Sequence, residues 1–245
     1  MDLSDEQQQS ASREVIKDEL LKETSERIAR IAKEFADGFA LMGKYNYTVS
    51  IFGSARIKED HPYYQKAREI AAGLAREGFT IVTGGGGGVM EAGDRGATEA
   101  GGQSVGLNIQ LPFEQKANPY TTESMSYRYF FTRKVILAFE ADAYICFPGG
   151  YGTFDELFEI ITLVQTKKMP KAPIILVGSE YWTALDMFIK AYMLDDEHYI
   201  SPGDEKLYTI TEDYHVIKAI IEHHRDTANA FTEKPESLED SDAPC

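Results

Sequence analysis

The sequence has few cysteines, no long apolar run and no excess of basic residues, and each absence excludes a class of protein. Only two of the 245 residues are cysteine, Cys146 and Cys245, so we expect neither a disulfide framework nor a cysteine-based metal site. No apolar stretch approaches the ~20 residues that cross a bilayer, and the first residues lack the pattern of a secretory signal. We therefore expect a cytoplasmic protein without a membrane partner.

The charge balance limits the partners further. There are 40 acidic residues against 25 Lys and Arg, which gives a net charge of -15. Binding of a nucleic acid requires clustered basic residues, so we expect no nucleic-acid partner. The five histidines show no metal-binding spacing, and we expect no metal. A small anionic ligand is compatible with this charge, because the N-terminus of a helix attracts phosphate locally.

The chain divides into three parts. Residues 1–46 are predicted to form an N-terminal helical extension, which packs on the domain, spans a dimer or covers the active site. Its apolar residues recur at helical spacing: Ile16, Leu20, Ile28, Ile31, Phe35 and Phe39. Residues 226–245 are acidic and predicted to be a disordered tail.

Strands and helices alternate in residues 47–225. Strands are predicted over 47–52, 79–83, 104–109, 143–147 and 173–178, and helices over 62–77, 89–100, 132–141, 154–168 and 181–194. This alternation indicates an α/β, Rossmann-like fold with a doubly wound parallel sheet, which binds ligands beyond the carboxyl ends of its strands.

Two glycine-rich junctions follow strands in the first half of this domain. Gly53 and Ser54 form either a tight turn or a place where phosphate or sugar approaches the backbone. Five glycines, Gly84–Gly88, precede a helix, and we predict that Gly86, Gly87 and Gly88 wrap an anion at its N-terminus. Glu91 then serves as a dipole partner or bonds a sugar hydroxyl or base. The run matches neither the Walker nor the GxGxxG spacing.

A third junction has the sequence PGGYGTFDE, residues 148–156. Thr153 and Glu156 have the spacing of a capping box, with Thr153 as N-cap and Glu156 at N3, which would make Glu156 structural. The preceding glycines instead suggest free N–H groups aimed at the space that Glu156 faces. Upstream, Arg133 and Lys134 form either a phosphate-binding pair or an exposed surface pair.

The PGGxGTxxE pattern, together with the Arg-Lys pair, resembles the Lonely Guy (LOG) family of cytokinin riboside 5'-monophosphate phosphoribohydrolases. Many of its members carry the label "lysine decarboxylase-like". The resemblance runs from about Tyr47 to Leu194, and Gly84–Glu91 also fits the family's glycine-rich turn followed by Met-Glu. Plant-type members have Met-His-x before the pair, whereas this chain has Phe130-Phe131-Thr132. It resembles the longer bacterial branch, which implies purine nucleotides such as AMP as substrates.

The resemblance implies a phosphoribohydrolase that cleaves AMP or an N6-substituted AMP, such as a cytokinin riboside monophosphate, to free base and ribose 5-phosphate. It implies Arg133 and Glu156 as the catalytic pair, no cofactor, and a homodimer or an assembly of dimers. Arg133 would pair with the phosphate or with the departing base. The binding residues predicted from motifs and resemblance are Gly53, Ser54, Gly86, Gly87, Gly88, Glu91, Lys134, Gly149, Gly150, Gly152 and Thr153.

Two alternatives stay open at this point. The first is a non-catalytic carrier of a nucleotide or a molybdopterin-type cofactor, and the second is a regulatory protein that acts through its N-terminal helix. Retention of both Arg133 and Glu156 favours the enzyme, because a carrier needs no carboxylate at the sugar. Lysine decarboxylation lacks support, since no segment is arranged to bind pyridoxal phosphate.

Overall fold

A computed structural model describes residues 5–111, 117–139, 141–196 and 198–232, and the side chains of residues 22–227 within these ranges. Its strands are β1 (Thr48–Phe52), β2 (Thr80–Thr83), β3 (Ser104–Ile109), β4 (Glu123–Tyr127), β5 (Ala143–Cys146), β6 (Ile174–Leu176) and β7 (Thr209–Ile210). Its α-helices are α1 (Asp5–Met42), α2 (Pro62–Arg76), α3 (Val89–Glu99), α4 (Phe130–Phe139), α5 (Tyr151–Gln165), α6 (Ser179–Phe188) and α7 (Tyr214–Thr232). A π-helical segment, Ile189–Asp196, continues α6.

The strands form one sheet in the order β4-β3-β2-β1-β5-β6-β7, and every neighbouring pair is parallel. The chain moves outward from β1 to β4 and then returns to place β5 on the other side of β1. A crevice opens at such a switch point, beyond the carboxyl ends of β1 and β5. The predicted doubly wound, Rossmann-like fold is confirmed.

The core lies on both faces of the sheet, as expected for strands that are buried on each side. On one face, α2, α3 and α7 contribute buried apolar residues such as Ile70, Val89 and Ile217. On the other face, the C-terminal end of α1 packs with α4, α5 and α6. The buried residues on this face include Met42 and Trp182. The N-terminal extension therefore packs on the domain through its C-terminal end.

The structure corrects the predicted ends of several elements. β3 agrees with its prediction, but β4, β7 and α7 were not predicted. The predicted boundary at residue 226 falls inside α7, which buries Ile217 and Ile221 against the sheet and continues to Thr232. Residues 233–245 lie outside the described residues. In α1, Ile28 and Phe39 are exposed rather than covered, and the side chains of Ile16 and Leu20 lie outside the described part.

A buried carboxylate fixes the glycine turn after β2. Asp94 is fully buried on α3 and accepts hydrogen bonds from Thr83 Oγ1 (2.8 Å), Ser104 Oγ (2.7 Å) and Asn118 Nδ2 (2.6 Å). Asn118 also donates to the Gly86 carbonyl oxygen at 2.9 Å. Burial raises the pKa of Asp94 to about 7, although the three donors oppose this effect. The carboxylate thus joins the turn to β2, β3 and the loop before β4.

We expect Asp94→Ala to destabilise the protein by at least about 2 kcal/mol, because three buried donors lose their acceptor. Asp94→Asn keeps the shape and one acceptor oxygen, so its loss should be smaller. Urea denaturation of the three proteins measures the difference. An alanine variant as stable as the wild type would show that the network does not hold the turn.

Candidate active site

The three glycine-rich junctions meet at the switch point between β1 and β5. The Ser54 amide donates to the Pro148 carbonyl oxygen, and the Val89 amide at the start of α3 donates to the Ser54 carbonyl oxygen, both at 3.0 Å. Gly88 has φ +67°, and a Cβ there would collide with the backbone of Ser54 and Ala55. These contacts bring the loops after β1, β2 and β5 together, as the sequence predicted for parallel strands.

A cavity of about 760 Å³ opens beside these loops. Eight of the predicted site residues line it: Gly53, Ser54, Arg133, Gly149, Gly150, Gly152, Thr153 and Glu156. Of the five-glycine run, all of which the structure describes, Gly84 is the one member that lines the cavity. The cavity therefore gathers most of the residues named from the PGGxGTxxE motif and the first junction.

The N-terminus of α5 faces this cavity without a side-chain cap. The helix begins at Tyr151 with Gly150 as its N-cap, so the predicted capping box is wrong: Thr153 is the third helical residue and Glu156 lies in the second turn. The Thr153 amide donates to the Gly150 carbonyl oxygen at 3.0 Å. A Cβ at Gly150 or Gly152 would meet open space. Free amides, a helix dipole and unfilled space are the features that suit a helix N-terminus to an anion.

Glu156 and Arg133 bring opposite charges into the same cavity. Glu156 is only 6% exposed, and Arg133 is half-buried on α4. Within the described part of the chain, Glu156 Oε2 and Arg133 Nε are buried and have no hydrogen-bond partner. Arg133 Nη1 donates to the Leu107 carbonyl oxygen at 3.4 Å, which is a long bond. Buried polar groups are normally satisfied, so the unpaired acceptor of Glu156 and the unpaired donor of Arg133, both on residues that line this cavity, call for an explanation, and bonding to a ligand is one.

Burial shifts the proton affinities of both groups. It raises the pKa of Glu156 to about 7, and the positive charges of Arg133 and Lys134 reduce the shift. It lowers the pKa of Arg133, and the negative charge of Glu156 opposes that change. Glu156 therefore titrates near neutral pH, where a carboxylate can exchange between its ionised and its neutral form.

Lys134, the neighbour of Arg133, does not line the cavity. Successive residues of a helix point in directions about 100° apart, so Lys134 faces α5 instead. Its Nζ lies 2.8 Å from an Asp155 oxygen and 3.0 Å from a Glu159 oxygen. Burial lowers the pKa of Lys134, but these two bonds outweigh it and raise the pKa overall. Lys134 is thus held in two ion pairs with α5, and its substrate-binding role stays a prediction.

Gly86, Gly87, Gly88 and Glu91 also do not line the cavity, although Gly88 packs against Ser54 and Ala55, which do. The glycines pack against neighbouring loops, as the hydrogen bond from Asn118 to the Gly86 carbonyl oxygen shows. Glu91 accepts a hydrogen bond from the Tyr64 hydroxyl at 2.9 Å, because the first turn of α3 faces α2. In this structure the five-glycine run contacts neighbouring loops closely, and its role as an anion cradle stays a prediction.

The apolar wall of the cavity was not predicted. It consists of Phe52, Met90, Ile109, Leu111, Phe130, Leu137 and Tyr181. The spacing of Phe130 and Arg133, three residues apart on α4, was a usable signal, and the guanidinium carbon lies 5.8 Å from the Phe130 ring centre. Tyr181 lies just after β6, at another carboxyl end, and its hydroxyl donates to the Gly149 carbonyl oxygen at 2.7 Å.

Comparison with known proteins decides the family. Residues 90–220 match the family model described as "Possible lysine decarboxylase", which is more than half of the chain. A cytokinin riboside 5'-monophosphate phosphoribohydrolase of Mycobacterium tuberculosis is 34% identical over 140 residues, or 56% of this chain and 73% of that protein. The chain belongs to the LOG family. The family resemblance read from the sequence is confirmed.

A second LOG relative and two solved structures extend the comparison. The "Probable cytokinin riboside 5'-monophosphate phosphoribohydrolase LOGL5" of Oryza sativa is 31% identical over 162 residues, and the match covers 65% of each chain, slightly less than two thirds of the relative. The crystal structure of TM1055 is 26% identical, with a TM-score of 0.56 over 73% of this chain and 99% of that one. A molybdenum cofactor carrier protein of Chlamydomonas reinhardtii, 21% identical with a TM-score of 0.55, covers 74% of this chain and 99% of its own and shares the fold.

Two structural features of this LOG-family chain concern membranes and metals. Among the described residues, no helix combines the length and apolarity required to cross a membrane. The same residues contain no group of three His, Cys, Asp or Glu side chains placed to hold a metal ion. The expected absence of a metal and of an organic cofactor stays a prediction.

The raised pKa of Glu156 predicts a pH-dependent cost to stability. Because the folded protein binds this proton more tightly than the unfolded chain, stability falls as the pH rises from about 4.5 to about 7. Glu156→Gln stays neutral, so its stability relative to the wild type should increase by about 2 kcal/mol between pH 5 and pH 8. Urea denaturation at both pH values measures this, and Asp94, which is present in both proteins, cancels. An equal difference at the two pH values would contradict the assignment.

Proposed function

We propose that this protein hydrolyses the N-glycosidic bond of a nucleoside 5'-monophosphate. Water adds to C1' of the ribose, the bond from C1' to the base nitrogen breaks, and the products are free base and ribose 5-phosphate. The observation that carries the proposal is the pair of unpaired buried groups, Glu156 and Arg133, in a cavity that ends at the open N-terminus of α5. The LOG relatives named as cytokinin riboside 5'-monophosphate phosphoribohydrolases support the same reaction.

In this proposal, the 5'-phosphate binds at the start of α5. The uncapped amides of the first turn and the positive end of the helix dipole suit a dianionic group. The open space at Gly150 and Gly152 leaves room for its oxygens. Because the phosphate is remote from the reacting bond, its binding energy can position the sugar and disfavour an unphosphorylated nucleoside.

Glu156 then acts on the sugar, one turn further along α5. Cleavage of an N-glycosidic bond builds positive charge on C1' and its ring oxygen, and a buried carboxylate stabilises this charge strongly because water is excluded. The same carboxylate can orient the attacking water and accept its proton. A pKa of about 7 suits a group that must gain and lose a proton near neutral pH.

Arg133 also binds the substrate in this proposal, because its Nε–H group has no partner in the described part of the protein. It either contacts the phosphate or donates to the departing base, where it would offset the negative charge that the base acquires. The two roles differ in one measurable respect. A phosphate contact makes Arg133→Ala lose the preference for nucleotide over nucleoside, whereas a contact to the base leaves that preference intact.

The substrate, the oligomeric state and the partners expected from the family resemblance are part of the same proposal. The substrate is AMP or an N6-substituted AMP, and the apolar wall of the cavity gives the base a surface to pack against. The homodimer or assembly of dimers, and the absence of a nucleic-acid partner, stay predictions. A carrier of a molybdopterin-type cofactor is the alternative, since a carrier shares this fold, but carriage gives no reason to bury an unpaired carboxylate.

The first test is release of base from AMP, N6-isopentenyl-AMP and adenosine, followed by chromatography. We expect release from the two monophosphates only, and a loss of at least about 100-fold in Glu156→Gln, because the charge-stabilising carboxylate is removed. Glu159→Gln is the matched control: it removes a carboxylate from the same helix, bonded to Lys134 and outside the cavity, and should retain activity.

Two results would contradict the proposal. Tight AMP binding without release by any of these proteins would favour the carrier. Equal losses in Glu156→Gln and Glu159→Gln would show that α5 matters for folding and not through the Glu156 carboxylate. Thermal denaturation of each variant, recorded alongside, identifies unfolded samples.

The pH dependence of kcat/KM gives a separate prediction. If the ionised form of Glu156 is required, kcat/KM should increase with pH and level off above about 7. Steady-state kinetics with AMP between pH 5.5 and pH 9 measures the profile. A maximum below pH 6 would mean that the neutral acid, not the carboxylate, is the active form.

A further inference from the structure

A carboxylate of the N-terminal helix holds the start of α4. Glu34 Oε1 accepts a hydrogen bond from the Arg128 amide at 2.8 Å. Its Oε2 accepts from the Thr132 hydroxyl at 2.6 Å and, more weakly, from the Tyr129 amide at 3.4 Å. Glu34 thus lies 94 residues or more from all three partners in sequence. One side chain of α1 binds the backbone on which α4 begins.

These bonds hold the segment that leads into α4. The Arg128 and Tyr129 amides immediately precede the helix, and the Thr132 hydroxyl lies in its first turn. The negative charge of Glu34 also complements the helix dipole. The Thr132 side chain is fully buried, and its bond to a carboxylate has the short length typical of a charge-assisted hydrogen bond.

The position of Glu34 is fixed by close packing one turn further along α1. Gly38 is buried, and a Cβ on it would lie 2.5 Å from the Tyr127 hydroxyl oxygen and 2.7 Å from Ile136 Cγ1. Tyr127 lies before the first turn of α4 and Ile136 lies after it. The backbone of α1 at Gly38 therefore packs against residues that flank this turn on the chain. On the same side, Phe35 contacts Phe131, with 6.5 Å between ring centres.

Arg133 follows Thr132 directly and completes this turn, because its amide donates to the Tyr129 carbonyl oxygen at 3.4 Å. The orientation of the turn therefore sets the direction of the Arg133 side chain. We propose that Glu34 is a positioning residue that holds the first turn of α4 so that Arg133 faces Glu156 in the cavity. This inference rests on the proposed function and gives the N-terminal extension a part in it.

The test compares Glu34→Ala, Glu34→Gln and Thr132→Val with the wild-type full-length protein. Glutamine keeps one acceptor oxygen, and Thr132→Val removes one donor while keeping the charge of Glu34. Glu26→Gln is the matched control, since Glu26 also lies on α1 but is exposed and pairs with Arg30 at 3.8 Å. The readouts are hydrogen exchange of the Arg128 and Tyr129 amides, kcat and KM for AMP, and the melting temperature.

We expect faster exchange at both amides in Glu34→Ala and a fall of about tenfold or more in kcat/KM, because even a small misplacement of a substrate-contacting group such as Arg133 is costly. Glu34→Gln and Thr132→Val should show smaller changes in both, and Glu26→Gln should match the wild type. A merely structural role would lower the melting temperature without changing kcat/KM of the folded protein.

The outcomes separate the two proposals. Suppose that the wild type hydrolyses AMP. If Glu34→Ala then shows unchanged amide exchange, or faster exchange with unchanged kcat/KM, the role of Glu34 is overturned and the proposed function is not. If Glu34→Ala does not fold, the other two variants decide by the same criteria. Absence of base release by the wild type would overturn the proposed function, and the positioning role with it.

Discussion

Two backbone hydrogen bonds at the carboxyl ends of β1 and β5 determine where the site lies. The Phe147 amide donates to the Phe52 carbonyl oxygen at 2.8 Å, and the Ser54 amide donates to the Pro148 carbonyl oxygen at 3.0 Å. Beyond these bonds the chain leaves the two strands in opposite directions, because one connection returns toward β2 and the other toward β6. The space between them cannot be filled by either connection. The cavity, the open start of α5 and the buried Glu156 all follow from that divergence.

The electrostatics of the cavity oppose stability. Burial of Glu156 makes its ionised form costly, and Arg133 is near enough to influence its pKa but leaves Oε2 without a hydrogen bond. A core selected for stability alone would pair these groups or replace them with apolar residues. Lys134 shows the contrast, because it forms two close ion pairs with α5 outside the cavity. Such uncompensated charge is typical of a site that completes its bonding with a substrate.

The sequence predicted the fold and the main glycine loops because both depend on local pattern: buried apolar strands alternate with amphipathic helices. It did not predict the strands at the two edges, β4 and β7, since β4 is polar and half-exposed and β7 has only two residues. It also did not predict that the neighbouring residues Arg133 and Lys134 would point in different directions. Successive side chains of a helix are about 100° apart, so Arg133 lines the cavity and Lys134 contacts α5. The role of Glu34 could not be predicted either, since its partners are far along the chain and only packing brings them together.

The arrangement of a nucleotide in the cavity tests the central claim most directly. A crystal structure of Glu156→Gln with AMP would show the ligand before cleavage. The account predicts the phosphate at the amides of Tyr151 and Gly152, with C1' beside residue 156 and the Arg133 guanidinium bonded to the nucleotide. A phosphate held by the Gly84–Gly88 turn, or a sugar facing away from residue 156, would contradict it.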